Sequence, residues 1–168
     1  MKSRDMLGAQ TVVYPVFNGT GATVVGIQSL LTRWGGVIAP AIAHVNTDEG
    51  GAPEKVGGFK IIPVATPAAK LTPALIRAHA GSRGVHTIVP QVVSITQSTE
   101  LGTLYSPDEI RAITETAHEL GLAVHVDGAR IANAIAALGV SLQEALPGVD
   151  VLSFGGTKIG AIGAEAVV

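Results

Sequence analysis

The sequence predicts an α/β fold on a mostly parallel sheet, and three observations predict it. Seven short β-rich or apolar runs alternate with segments of helical periodicity. Such alternation makes crossovers that leave neighbouring strands parallel. The chain is apolar, with 47% hydrophobic and 14% charged residues and a mean hydropathy of +0.44. Strands buried on both faces, or a surface covered in an oligomer, account for such a composition. At 168 residues the chain has a one-domain length and can bury a sizeable core.

Residues 1–10 form a poorly specified lead-in. Residues 11–17 are β-rich, and Pro15 within them favours an edge or broken strand. After Asn18-Gly19-Thr20-Gly21, Val24, Ile27, Leu30, Leu31 and Trp34 recur at helical spacing, which predicts a helix over 20–34 ended by Gly35-Gly36. Residues 37–44 read as a strand ending at His44, followed by a polar, glycine-rich loop with Asp48, Glu49, Gly50 and Gly51. Residues 59–65 are a short strand. Thr72-Pro73 opens a helix with a cap and a first-turn proline, and Gly81 to Gly84 closes it.

The β-branched run 86–96 is the best candidate for a central strand. A polar loop over 97–105 leads to Ser106-Pro107-Asp108-Glu109, a capping-box pattern opening a helix that runs to Gly121. Strand 122–126, helix 131–138, a second capping box at Ser141 and Glu144, strand 149–154 and a final strand over 163–168 complete the order. A chain that stops on an apolar strand reads as a fragment of something longer.

Several classes are excluded. A net charge of −2 gives no electrostatic case for nucleic acid or an anionic membrane. The absence of cysteine rules out disulfides and thiolate metal sites. No apolar run reaches transmembrane length, and Met1-Lys2-Ser3-Arg4-Asp5 leads into no signal-type stretch. A cytoplasmic protein is expected.

Ligands of open parallel sheets lie at the carboxyl ends of the strands. This sequence places Asn18-Gly19-Thr20-Gly21, His44, Gln97-Ser98-Thr99, Asp127, Arg130 and Thr157-Lys158 there. The glycine turn before a helix suits a phosphate, through close backbone approach and the helix N-terminus, or is a plain turn with a cap. His44 can stack on an aromatic ring or transfer a proton, or is a structural histidine. Asp127 closes an apolar strand, where a carboxylate needs a partner. It is a helix cap, a salt bridge to Arg130, or the acceptor for a pyridinium N–H. Arg130 offers a planar fork for a carboxylate. Lys158, hemmed by Gly155, Gly156, Gly160 and apolar neighbours, is expected to be buried, with a lowered pKa that frees the neutral amine. Its alternative is an ordinary loop lysine. Glu49 in the acidic loop can polarise His44 or is simply solvated. A metal site of His44, Asp48 and Glu49 leaves Lys158 unexplained, and no metal is expected. An acid and a lysine at neighbouring strand ends suit pyridoxal-phosphate chemistry, where the lysine holds the cofactor covalently and the acid keeps its ring nitrogen protonated.

Together, Asn18-Gly19-Thr20-Gly21, His44 with Glu49-Gly50-Gly51-Ala52, Asp127-Gly128-Ala129-Arg130 and Lys158 resemble the low-specificity threonine aldolases of the β-eliminating-lyase group, in the same order and over nearly the whole chain. The resemblance implies a three-layer α/β/α fold with a roughly seven-stranded sheet, the large domain of an aspartate-aminotransferase-like enzyme. It implies that residues 1–168 are that domain, with an N-terminal segment and a C-terminal small domain absent. Members usually carry a second arginine in that small domain, and many have a histidine in the loop that here reads Gln97 to Glu100.

Carried over by position, Gly19, Thr20 and Gly21 would bind the phosphate of pyridoxal 5′-phosphate. His44 would stack on its ring, Asp127 would pair with its nitrogen, Arg130 would hold the substrate carboxylate and Lys158 would carry the cofactor. The implied reaction cleaves a threonine-like β-hydroxy-α-amino acid to glycine and an aldehyde, in a cytoplasmic homo-oligomer, a dimer or tetramer. The alternatives are a non-catalytic fragment of such an enzyme, a related β-eliminating lyase and a phenylserine aldolase.

Overall fold

A computed structural model describes residues 7, 8, 11–81 and 84–168. The lead-in over 1–10 falls largely outside these residues, as does part of the helix stop between Gly81 and Gly84. Seven strands form one sheet: β1 (Tyr14–Val16), β2 (Gly35–Pro40), β3 (Lys60–Val64), β4 (Val89–Thr96), β5 (Ala123–Gly128), β6 (Val151–Gly155) and β7 (Glu165–Val167). Their order across the sheet is β1-β7-β6-β5-β4-β2-β3. The five strands from β6 to β3 are parallel, and β7 and β1 add antiparallel pairs at one edge. Pro15 lies on the edge strand β1, where a missing N–H costs the ladder least.

Helices cover both faces, as expected for three layers. α1 (Gly19–Ser29) packs on one face, where Ile27 meets Val37, Ala39 and Val92. The other face carries α3 (Pro73–Ala80), α4 (Pro107–Glu119), α5 (Ile131–Leu138) and α6 (Leu142–Ala145); α2 (His44–Thr47) is one turn after β2. On that second face Ile76, Ile110, Ile113 and Ile131 close over Ile38, Val93, Ile95, Val124 and Val126. Each fully buried Ile contributes about 2 kcal/mol relative to exposure. Strand residues alternate between the two clusters with period two. On β4 and β5, Val93, Ile95, Val124 and Val126 face the second cluster, whereas Ser94, Thr96, His125 and Asp127 point under α1.

Both capping boxes are present, with Ser106 and Glu109, and Ser141 and Glu144, bonding reciprocally. Several expected boundaries change, among them the start of the central strand, which is Val89 and not residue 86. The helix expected over 20–34 ends at Ser29, because Thr32 leaves the helical path to bond Gln91 of β4. Thr32 N–H donates to Gln91 Oε1 at 2.8 Å and Gln91 Nε2 donates to Thr32 Oγ1 at 2.6 Å. The strand expected over 37–44 stops at Pro40, and His44 instead opens α2. Asp127 lies inside β5, paired with Thr96 and Ser153, not after a strand ending at Val126.

Candidate active site

The carboxyl ends of β5 and β6, the N-terminus of α1 and the start of α2 converge on one cavity of about 370 Å³. That volume suits a cofactor-sized ligand. Asn18, Gly19, Thr20, His44, Glu49, Asp127, Ser153, Thr157, Lys158 and Glu165 are among its lining residues. Most residues singled out from the sequence thus meet in one place. Gly21, Asp48, Gln97, Ser98, Thr99 and Arg130 stand outside the lining.

The α1 end is built by its cap. Asn18 Oδ1 accepts the Gly21 N–H at 2.7 Å, so that donor is used. The N–H groups of Gly19 and Thr20 have no hydrogen-bond partner among the described residues. Two unused donors at the positive end of an eleven-residue helix make an anion seat.

Asp127 forms the floor. It is only 7% exposed, and its Oδ1 accepts the Ala129 N–H at 2.9 Å. It neither caps a helix nor ion-pairs with Arg130 within 4 Å. Burial pushes its carboxyl pKa up, opposed by the Ala129 N–H and, more weakly, by the Arg130 charge. A carboxylate so placed gains from a cationic N–H partner in the cavity.

His44 is half-buried. Its ring nitrogens stand 3.6 Å from Asp48 Oδ2 and 3.7 Å from Glu49 Oε1. Its backbone N–H donates to Glu100 Oε1 at 2.9 Å, and Thr96 Oγ1 donates to the same oxygen at 2.9 Å. Glu100 therefore ties the start of α2 to the end of β4. It comes from the loop that the sequence marked only as polar. Oε2 of Glu49 and Oε2 of Glu100 are buried without a partner.

Lys158 sits on a single 3-10 turn, Thr157–Ile159, directly after β6. The expected burial is absent, and Lys158 is exposed. The flanking glycines have another cause. A Cβ on Gly155 would stand 2.7 Å from Ala129 Cα, and one on Gly156 would stand 2.8 Å from Ala164 O. The glycines let the end of β6 press against the Asp127–Arg130 turn and β7, and they contribute no side chains to cover the lysine. Thr157 N–H donates to Glu165 Oε1 at 3.2 Å, which fastens the turn to β7.

Arg130 Nε donates to the Ser98 carbonyl at 3.2 Å, and its Nη2 is buried without a partner. Ser153 and Glu165 are lining residues that sequence reasoning missed. Ser153 carried a usable signal, since it alternates with apolar Leu152 on a strand expected to neighbour Asp127. Among the described residues no three His, Asp or Glu side chains are grouped as metal ligands. No helix among them is long and apolar enough to cross a membrane.

Comparison with known proteins gives a consistent result. The chain is 46% identical to the low specificity L-threonine aldolase of Pseudomonas aeruginosa and 45% identical to that of a Pseudomonas species, in each case over 98% of this chain and 49% of the relative. The solved structure of Leishmania major threonine aldolase superposes with a TM-score of 0.92 at 30% identity, over 98% of this chain and 49% of that one. The chain thus spans about half the length of the relatives it matches. The profile of the beta-eliminating lyases matches residues 1–168, so over its whole length this chain belongs to the beta-eliminating lyase family.

Proposed function

We propose that the chain carries the pyridoxal 5′-phosphate site of a carbon–carbon lyase that cleaves threonine-like β-hydroxy-α-amino acids to glycine and an aldehyde. The observation that carries this reading is one cavity with a desolvated carboxylate on its floor, two unused helix N–H donors at one end and a lysine at its lip. The donor set fits the cofactor: an anion seat for a phosphate, a buried acid for a pyridinium N–H and an amine for covalent attachment. The threonine-aldolase names of the relatives support the substrate class.

When bound, the cofactor supplies an electron sink for bond cleavage beside the substrate's α-carbon. The chain's own residues supply the rest. Gly19 and Thr20 N–H bind the phosphate, while Gly21 N–H stays with Asn18 and shapes the turn. Asp127 accepts the ring N–H, and that positive charge offsets the burial that raises its pKa. The imidazole face of His44 packs on the ring. Its Nε2, with Glu49 Oε1 3.7 Å away, takes up the proton given by the substrate hydroxyl. Arg130 is the holder of the substrate carboxylate in this reading, its guanidinium turning from its place beside Ser98 toward the cavity and using the Nη2 that has no other partner. Lys158 binds the cofactor covalently. The same reading makes the protein a cytoplasmic homo-oligomer, and exposed apolar side chains such as Phe17 and Trp34 support a contact surface.

The test is spectroscopic. Adding pyridoxal 5′-phosphate to the protein is expected to give a visible absorption band that Lys158→Ala abolishes. A wild-type chain without such a band overturns the proposal. Measuring glycine released from threonine and phenylserine, and elimination products from tyrosine, then separates aldolase from β-eliminating activity.

A further inference from the structure

Three polar side chains run in a line under α1, across the middle of the sheet. Ser94 Oγ lies 2.9 Å from His125 Nδ1, and His125 Nε2 lies 2.8 Å from Ser153 Oγ. All three residues are buried, with His125 wholly inaccessible. Only the Ser153 end reaches the cavity, beside Asp127, its cross-strand neighbour. Burial depresses the His125 pKa to about 3, so the ring is neutral and carries one N–H.

Counting donors decides which nitrogen carries it. If Nδ1 were protonated, it would donate to Ser94. The Ser94 hydroxyl hydrogen would then have no acceptor, because among the described residues its only partner is His125. Burying an unmade donor is costly. If Nε2 is protonated, Ser94 donates to Nδ1 and Nε2–H donates to Ser153 Oγ. The one hydrogen left over is that of Ser153, the one of the two hydroxyls that lines the cavity.

We propose that Ser153 is a hydrogen-bond donor on the floor of the cavity, turned toward the bound ligand by the buried Ser94–His125 pair. The ligand class is an anionic aromatic whose oxygens accept from Ser153 beside the Asp127 carboxylate. Its identity rests on the pyridoxal phosphate reading above. Ser153 is then a cofactor-binding residue, and Ser94 and His125 are positioning residues. This assigns work to a histidine two residues before Asp127 that does not itself line the cavity.

Two measurements test it. Nitrogen-15 correlation spectra of the ligand-free protein are expected to show His125 protonated on Nε2, unchanged from pH 8 to pH 5. An Nδ1–H tautomer overturns the proposal, and this measurement needs no variant. In the second, Ser153→Ala is expected to weaken pyridoxal 5′-phosphate binding about tenfold, the loss of one hydrogen bond to a charged acceptor. An unchanged dissociation constant in a folded Ser153→Ala protein overturns it. If Ser153→Ala does not fold, or wild type takes up no cofactor, the tautomer decides the proposal. Failure of wild-type uptake strikes the pyridoxal reading itself.

Discussion

The floor and the lip of the cavity are built on opposite terms. The floor is made by β4, β5 and β6, where Ser94, His125, Asp127 and Ser153 are buried and each has a hydrogen-bond partner. The lip is made by loops and short turns. There Lys158 and Ile162 are exposed, and Phe17 keeps 87% of its surface. The difference teaches where stability and chemistry are coupled. A polar group on the floor is tolerated only while it is satisfied, so changing it disturbs the fold and the site together. A lip residue adds little to folding and is free to be chosen for reactivity.

The sharpest way to break this contrast is at the centre of the floor. His125→Ala leaves a cavity beneath α1 and strips Ser94 and Ser153 of their common partner. A loss of about 3–5 kcal/mol in unfolding free energy is expected from urea denaturation. A loss below about 1 kcal/mol would mean that the floor relaxes as easily as a surface.

Acid probes the same residue without mutation. In the fold His125 stays neutral down to about pH 3, whereas in the unfolded chain it is protonated near 6.5. Between those values the unfolded state binds more protons, so stability falls as pH falls. The slope approaches about 1.4 kcal/mol per pH unit. Asp127 acts in the opposite sense, since its raised pKa lets the fold keep a proton above 3.8. Comparing urea midpoints from pH 7 to pH 4.5 in wild type and His125→Gln isolates the histidine, and the wild-type curve is expected to be the steeper.

Much of this arrangement is legible from local pattern. Both capping boxes, the strand and helix order, and the gathering of Gly19, Thr20, His44, Asp127 and Lys158 at strand carboxyl ends follow from turn chemistry, periodicity and topology. What escapes is set by partners distant in sequence. Gln91 ends α1 from 59 residues away. The loop over 97–105 reads only as polar, yet Gln97 and Tyr105 are buried and bridge it: Gln97 Nε2 donates to Tyr105 O, and Tyr105 N–H donates to Gln97 Oε1. Lys158 reads as buried because glycines flank it, when those glycines serve backbone contact elsewhere. Ser94, His125 and Ser153 sit one on each of three strands, and only the register shows that Ser94 lies opposite His125 while Ser153 lies diagonally from it, opposite Asp127.

That buried loop provides an intermediate case. The Tyr105 hydroxyl accepts the Leu71 N–H at 2.7 Å in the core, and burial raises its pKa far above the phenol value. Tyr105→Phe leaves this N–H without an acceptor and is expected to cost about 1–3 kcal/mol by urea denaturation. The cofactor-dependent absorption band is expected to be retained, because Tyr105 does not line the cavity.

The smallest effect on folding is expected at the lip residue with the largest effect on chemistry. Lys158 is exposed, makes no ion pair among the described residues and sits on a turn fastened by the Thr157 backbone. Removing its side chain deletes no buried contact. Lys158→Ala is therefore expected to change unfolding free energy by less than about 0.5 kcal/mol while losing the absorption band entirely. A destabilisation near that of His125→Ala would place Lys158 among the floor residues in energetic terms. It would also mean that any lost band reported a damaged fold and not a missing amine.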